Sequence, residues 1–442
     1  MADRHFRWWL AGIAAVALGV RVAYILLARQ DYVPGGDAFF FHSGAQLLVE
    51  GRGFIDPHIY ADTGTAVQAA NHPPLYVLWL AIPSAVGATS PISHMLWSAV
   101  LGTGTVVVVG LLGREVAGPR AGAIAAGLAA VYPNIWGHDG MVVSETMAIF
   151  WASAAVLLAY RYWKEPTVGR LALLAVGCAL AALSRAELVL LLPLVVLPLV
   201  LLTRREAAER VRGLAVAALA ALLALGPWAA FNLARIDEPV VLTSGLEVTL
   251  ATANCEETWY GNFTGYWNLG CAREAEERSG IPGASREVNA DAYRSEALSF
   301  IGDNLERLPV VVAARLGRVT GLYRPLQQVN LDSVPEGRDQ WVARLSLAMY
   351  YPIAGLAVAG AVVLRRRREV PVFPLVALPA IVLITTALAF GTNRYRATAE
   401  GALVVLAAVA IDAAVVALAR RRRRQAEAEA ETDLAVGSAA AR

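Results

Sequence analysis

Ten apolar stretches, each close to or above the length that crosses the hydrocarbon core of a bilayer, constrain the fold of this chain most strongly. They lie at 8–28, 93–113, 119–136, 141–161, 168–184, 186–203, 211–230, 342–364, 371–390 and 398–419. Over 442 residues, 57% are hydrophobic and only 17% are charged, which excludes an ordinary soluble protein. The sequence therefore predicts an all-α polytopic membrane protein.

One further apolar stretch, 75–88, is shorter and contains Pro83, so its status depends on the sidedness of the loops. If it crossed the membrane, the loop GREVAGPR would lie opposite the other arginine-rich loops. If it only dips into the membrane or lies on its surface, the basic loops share one side, including RRRR at 365–368 and RRRRR at 420–424. Because basic loops stay in the cytoplasm, we expect ten spans with both termini cytoplasmic.

This orientation divides the chain into four parts. Residues 1–230 form a module of seven transmembrane spans, and its first extracytoplasmic loop covers 29–92. The other three parts are an extracytoplasmic domain with amphipathic helices at 231–341, three C-terminal spans within 342–419, and a basic cytoplasmic tail at 420–442.

Short turns predicted to face the exterior contain arginines, although basic residues usually stay inside. Arg185 and Glu187 lie between two spans, and Arg394, Arg396 and Glu400 lie around the turn before the last span. Each arginine alone is explained by snorkelling to lipid head groups or by pairing with a nearby glutamate. Three arginines on one face favour a bound phosphate, since guanidinium groups bind phosphate oxygens in a bidentate way and keep their charge.

Three other polar residues near the ends of predicted spans are candidates to line a cavity: Glu145, Arg21 and Tyr395. Glu145, in the first turn of the fourth span, would also complement the helix macrodipole. Arg21, two turns before the end of the first span, either snorkels outward or points inward. The sequence leaves these alternatives open.

Asp37 follows two glycines just after the first span. The pattern predicts an amphipathic helix over 38–50 that ends at Gly51, with Asp37 well suited to be its N-cap. As a cap, Asp37 would need no further function. A carboxylate at the membrane interface that faces a phosphate site is, however, the arrangement needed to deprotonate an acceptor beside a membrane-bound donor.

Five of the six histidines gather on the predicted exterior face: His42, His58, His72, His94 and His138. Their spacing matches no metal-binding motif, so we predict no metal and no other cofactor.

Two cysteines in the extracytoplasmic domain, Cys255 and Cys271, lie in a compartment that permits disulfides, and we predict that they pair. Between them lie Trp259, Tyr260, Tyr266 and Trp267. Such residues either stack on sugar rings or rest at the membrane interface, and the sequence does not distinguish the two.

Several motifs, in order along almost the whole chain, resemble the bacterial GT-C glycosyltransferases, relatives of the protein O-mannosyltransferases and of the lipid A aminoarabinose transferases. The motifs are GGDAFFFHSGAQLLVEGRGF, NHPPLY, VVSETM, GCALAALSRAE, LGPWAAFNLARI and NRYRATAE. The resemblance covers the seven-span module best. It implies a GT-C-type seven-span module followed by three C-terminal spans, with a small extracytoplasmic domain between them.

The resemblance also implies an inverting transferase that takes a sugar from a polyprenyl-phosphate donor at the extracytoplasmic face. An aspartate of the first outer loop is the catalytic base in that family, and it corresponds to Asp37. The second acidic residue of the family motif is replaced by Ala38, and His72 stands where some relatives have lysine. Basic positions near the donor phosphate correspond to Arg185, Arg394 and Arg396.

The expected partners are the lipid-linked donor, membrane lipids, and a glycan, lipid or protein acceptor, with no nucleic acid. Two alternatives use the same lipid phosphates. A ligase or polymerase of lipid-linked oligosaccharides would rely on arginine and histidine without an essential aspartate in the first loop. A transporter or flippase would show inverted repeats and helices broken at mid-membrane, and neither is evident in the sequence.

Overall fold

The computed structural model describes residues 3–204, 206–237 and 239–440, and side chains from 4 to 427 within those ranges. The regular secondary structure of the described residues is helical, and they form no strand apart from a single antiparallel bridge between Ile55 and Gln68. The all-α fold class predicted from the sequence is confirmed.

In the described residues the first module consists of eleven α-helices, three of which lie in the first long loop. They are α1 (Asp3–Ala28), α2 (Asp37–Val49), α3 (Pro57–Thr63), α4 (Leu75–Ala85), α5 (Pro91–Ala117), α6 (Pro119–Val131), α7 (Pro133–Trp136), α8 (Glu145–Lys164), α9 (Val168–Ala182), α10 (Leu197–Thr203) and α11 (Ala207–Arg235). A 3₁₀ turn at Gly137–Gly140 precedes α8. Another 3₁₀ turn and a π-helical turn precede α10.

The described residues after α11 form nine more α-helices. A domain that we call the connecting domain (231–341) contains α12 (Gly245–Ala253), α13 (Glu256–Trp259), α14 (Leu269–Ser279), α15 (Ala290–Asp303), α16 (Leu308–Val319) and α17 (Pro325–Ser333). After it come α18 (Gln340–Arg367), α19 (Phe373–Leu388) and α20 (Asn393–Ala440). Of the tail predicted at 420–442, residues 441–442 lie outside the described residues.

Six stretches of helix in the described ranges are long and apolar enough to cross a membrane. They are Arg4–Ala28, Pro91–Ala117, Ala186–Thr203, Ala207–Arg235, Gln340–Arg367 and Asn393–Glu427. Four more, α4, α6, α9 and α19, are apolar but shorter. The predicted span at 141–161 corresponds to α8, which begins only at Glu145. The chain is a multi-pass membrane protein, as the apolar stretches predict.

Helix α20 lies at the centre of the bundle, where it packs against α5, α6, α8, α18 and α19. Its closest neighbour approaches at Gly360 of α18, where an added Cβ would lie 1.8 Å from the carbonyl oxygen of Leu406. Small residues at helix crossings allow this backbone approach inside membranes. The first turn of α20, which carries Arg394, is therefore the end of a firmly held element.

The connecting domain is tied to that turn. Cys255 and Cys271 form a disulfide, with 6.0 Å between their Cα atoms. Within the loop that they close, the carbonyl of Gly265 accepts a hydrogen bond from the backbone N–H of Gly391 at 2.8 Å. The domain thereby fixes the residues that lead into α20.

Candidate active site

Asp37 is the first residue of α2, and its N-cap is Gly36. The interpretation of Asp37 as an N-cap is therefore wrong. Gly36 has φ of 52°, a left-handed conformation that glycine adopts without steric cost. The helix ends at Val49, and Gly51 follows with φ of 80°, as expected for a residue just past a helix end.

The carboxylate of Asp37 pairs with residues far away in the sequence. Its Oδ2 accepts a hydrogen bond from Nη2 of Arg394 at 2.9 Å, and its Oδ1 lies 3.4 Å from Nε2 of His72. The His72 ring is held in place by Phe40 and Phe41, whose ring centroids lie 4.8 and 4.9 Å away. The Asp37 side chain remains 33% exposed, so a substrate can reach it.

Electrostatics keep this carboxylate ionised. Its partial burial acts to raise the pKa of Asp37, but the positive charges of His72 and Arg394 outweigh burial and hold that pKa well below its usual range. Asp37 is therefore an anion at neutral pH.

Arg394 bonds three carboxylates with its three nitrogens. Besides Asp37 on Nη2, it donates from Nε to Glu145 Oε1 at 2.8 Å and from Nη1 to Oε2 of Glu336. Its side chain is 14% exposed, whereas Glu145 is fully buried. Because guanidinium is a rigid planar fork, these bonds fix the relative positions of the three acids.

Arg185 extends the network from the other side. Its Nη1 donates to the same oxygen of Glu145 at 2.7 Å, and its Nε donates to Glu187 at 2.6 Å. The guanidinium carbon lies 5.3 Å from the ring centroid of Tyr395. We call this set the Arg394 cluster: Asp37, His72, Glu145, Arg185, Glu187, Glu336 and Arg394.

The ionic groups of the cluster do not balance. Four carboxylates face two guanidinium groups, each of which is already bonded to carboxylates. Oε2 of Glu145 is buried and has no hydrogen-bond partner within the described part of the chain. The cluster thus has a surplus of acceptors, suited to substrate hydroxyls and to proton removal.

Comparisons with known proteins agree with this architecture. Residues 71–231 match the family model of dolichyl-phosphate-mannose-protein mannosyltransferases. The archaeal oligosaccharyltransferase AglB from Archaeoglobus fulgidus, solved with an inhibitory peptide and a dolichol-phosphate, is 16% identical and superposes with a TM-score of 0.56 over 95% of this chain. This chain therefore shares the fold of the GT-C glycosyltransferases.

The superposition covers 52% of the archaeal enzyme, so this chain spans about half of its length. ArnT from Cupriavidus metallidurans bound to undecaprenyl phosphate is 13% identical, with a TM-score of 0.45 over 93% of this chain and 78% of that one. No curated protein matches the sequence.

Glu336 is the residue of the Arg394 cluster that the sequence did not indicate. It lies in a segment that bridges the bundle, where Arg338 bonds His138 at 2.6 Å and Asp339 accepts from Arg29 at 3.0 Å. Burial raises the pKa of Glu336 above its usual value, although Arg394 opposes the shift. Glu336 stands in a polar stretch between a proline and a glycine, and no pattern there indicated a partner at 394.

The structure does not bring Arg396 into the cluster. Arg396 is 4% exposed and donates to Glu400 at 2.7 Å and to the Val319 carbonyl at 2.7 Å. Its guanidinium carbon lies 3.6 Å from the ring centroid of Tyr350. Arg396 therefore belongs to the packing of α20, which corrects its expected place beside a phosphate.

Arg21 points inward, which settles the alternative left open by the sequence. It is completely buried and donates to Asp139 at 2.7 Å and to the Ala17 carbonyl at 3.0 Å. Asp139 also accepts from Thr146, the neighbour of Glu145, at 2.8 Å. Arg21 thus braces the start of α8 and does not line the cluster.

A row of aromatic side chains lies beside the Arg394 cluster. Tyr395 stacks near Phe390 with centroids 5.0 Å apart, and Phe390 lies 6.3 Å from both Tyr266 and Trp267. Trp267 is half-buried, whereas Trp259 is completely buried in the connecting domain. Of the aromatic residues between the cysteines, Tyr266 and Trp267 therefore lie on the side nearest to the cluster, and Tyr266 is buried whereas Trp267 keeps part of its surface exposed.

Within the described residues, no group of three or more histidines, cysteines, aspartates and glutamates has an arrangement that could hold a metal ion.

Proposed function

We propose that this protein transfers a sugar, with inversion, from a polyprenyl-phosphate donor to a hydroxyl of an acceptor at the extracytoplasmic face of the membrane. Asp37 is the general base in this proposal. The observation that carries it is the ionised, partly exposed carboxylate of Asp37, which Arg394 holds at the junction of the bundle and the connecting domain.

The chemistry is one displacement. Asp37 takes the proton from the acceptor hydroxyl while that oxygen attacks the anomeric carbon, and the bond from this carbon to the phosphate oxygen breaks. The electron pair leaves with the polyprenyl phosphate. A single attack from the opposite side inverts the configuration. The low pKa of Asp37 makes it a weak base in the ground state, but the acceptor hydroxyl becomes strongly acidic in the transition state.

Arg394 and His72 act next to the base. The bonds of Arg394 orient Asp37, and its two Nη groups have further N–H donors for oxygens of the leaving phosphate. Arg185 acts indirectly, because it fixes Glu145, and Glu145 in turn holds Arg394. Such preorganised donors stabilise charge that develops in the transition state.

The donor class is tested on purified protein in lipid nanodiscs. We expect transfer from polyprenyl-phosphate sugars and none from nucleotide sugars. Nuclear magnetic resonance of the product should show an anomeric configuration opposite to that of the donor. Retained configuration would exclude the single displacement, and transfer from nucleotide sugars alone would exclude the lipid-linked donor.

A further inference from the structure

The Arg394 cluster lacks the positive charge that a departing lipid phosphate requires. A polyprenyl phosphate carries at least one negative charge, and the two arginines of the cluster already face four carboxylates. A guanidinium group whose charge is not yet compensated would bind this phosphate more strongly.

Arg286 of the connecting domain is the candidate for this group. It lies in the loop between α14 and α15, which Asn289 closes by bonding the N–H and the carbonyl of Ile281 at 2.7 and 3.0 Å. The next residue, Glu287, is buried and accepts hydrogen bonds from Ser244 and from the backbone N–H of Ala70.

These bonds attach the Arg286 loop to the segment that carries His72. Ala70 precedes His72 by two residues, and its carbonyl accepts from the N–H of Ser244 at 2.9 Å. The neighbouring Asn71 carbonyl accepts from Thr243 at 2.7 Å. The loop is therefore held against the same short segment that contacts Asp37.

Arg286 is half-buried. Unlike the arginines of the cluster, it is not bonded to a carboxylate in the part of the chain that the structure describes. Its charge acts on Asp37 together with those of His72 and Arg394. Within the described residues, however, Arg286 has no carboxylate at ion-pair distance and no hydrogen-bond partner. Of the two arginines that act on Asp37, Arg286 is the one with its donors free for a ligand.

We propose that Arg286 binds the phosphate of the lipid-linked donor on the connecting-domain side of Asp37. This assignment rests on the proposed function and sharpens it. Arg394 orients the base and donates hydrogen bonds, whereas Arg286 supplies the uncompensated positive charge. The connecting domain thus takes part directly in donor recognition, and the polyprenyl phosphate that remains after transfer stays bound to the same guanidinium.

The test measures equilibrium binding of a polyprenyl phosphate, without any sugar, to full-length protein in nanodiscs. Arg286→Gln should weaken binding about tenfold or more, because it removes a charge-assisted bond, and Arg286→Lys should weaken it less. Arg294→Gln is the matched control, since Arg294 is an exposed arginine of the same domain that pairs with Asp291. It should bind as the wild type does.

Two further arms identify the ligand chemistry. The corresponding polyprenol, which lacks the phosphate, should bind equally to the wild type and to Arg286→Gln. Raising the fraction of phosphatidylglycerol in the nanodisc should leave the difference between these proteins in place. Unchanged affinity of Arg286→Gln for the polyprenyl phosphate, an equal loss for the polyprenol, or a difference erased by phosphatidylglycerol would each overturn the proposal.

Failure of this assignment can be separated from failure of the proposed function. Asp37→Asn is expected to bind the polyprenyl phosphate at least as tightly as the wild type, because it removes a nearby negative charge. If Arg286→Gln binds normally while Asp37→Asn has lost transfer, the Arg286 assignment alone is wrong. If Asp37→Asn transfers at the wild-type rate, the proposed function is wrong whatever Arg286→Gln shows.

Discussion

Arg394 and Arg396 lie two residues apart in the first turn of α20, yet their surroundings differ completely. Arg394 reaches carboxylates from three distant segments and remains partly exposed beside Asp37. Arg396 pairs with Glu400 of its own helix and is enclosed by the bundle. Successive residues of a helix are rotated by about 100°, so two positions are enough to turn a side chain from the site into the core.

This difference shows how a polar residue of a membrane protein is best assigned either to a functional site or to the packed core. Both arginines are largely withdrawn from solvent and bond a glutamate, and both would be expensive without a partner. The two arginines differ in where their bonding partners come from. The Arg394 cluster collects residues from α2, α8, the turn at 185–187 and the connecting domain, whereas the Arg396 pair is local. Substitutions at the two positions should therefore fail in different ways.

The largest of these effects is expected at Arg394. Arg394→Gln removes the group that positions Asp37, and a misplaced catalytic group costs about a hundredfold in rate. Arg394→Lys should recover little, because an ammonium group does not present the planar fork that bonds three acids. The measurement is the transfer rate of purified protein, with the exposed Arg366→Gln as the control. A transfer rate within threefold of the wild type would show that Arg394 does not act in the site.

Arg396 should show the opposite pattern. Arg396→Met leaves Glu400 buried without its partner, which costs about 3–5 kcal/mol of stability. The double variant Arg396→Met/Glu400→Met should recover most of that loss, since two apolar groups replace the pair. Thermal unfolding in detergent measures it, alongside donor KM of the folded fraction. If Arg396→Met had normal stability and a raised donor KM, Arg396 would bind the donor phosphate and not belong to the packing of α20.

A smaller effect is expected from the disulfide. In the chain-entropy model, closing a loop of this size contributes about 3 kcal/mol, and the closed loop positions the turn before Arg394 through Gly265 and Gly391. Replacing Cys255 and Cys271 by serine should lower the unfolding temperature and raise donor KM severalfold. The buried Cys178→Ser is the control for thiol removal. A donor KM of the double serine variant equal to that of the wild type would show that the closed loop does not position the site.

The smallest effect concerns pH. His72 and Arg394 hold the pKa of Asp37 low, so the base stays ionised as the pH falls from 8 to 5. His72→Asn removes one of these charges, the pKa of Asp37 rises, and activity on the acid side should be lost at a higher pH than in the wild type. The pH profile of kcat/KM measures this, with His58→Asn as the control. A profile shifted to lower pH would contradict the electrostatic account.

Much of the fold followed from local patterns in the sequence. Apolar stretches of bilayer length predicted the bundle, and the Gly-Gly-Asp turn indicated a short helix beginning near Asp37. The convergence of Asp37 with Arg394 and Arg185 was expected from sidedness alone. Glu336 and Arg286 were not predictable, because both depend on how the connecting domain docks, which leaves no periodic pattern. Arg396 was misplaced because sidedness does not determine which face of a helix a residue occupies.

The central claim is that Asp37 is the base of a lipid-linked transferase, and one comparison tests it most directly. Single-turnover transfer is measured for the wild type, Asp37→Asn and the exposed control Asp31→Asn, each matched in folding and in polyprenyl-phosphate binding. The account predicts that Asp37→Asn loses roughly a hundredfold to ten-thousandfold in rate, while Asp31→Asn is unaffected. Transfer by Asp37→Asn at a rate close to that of the wild type would contradict it.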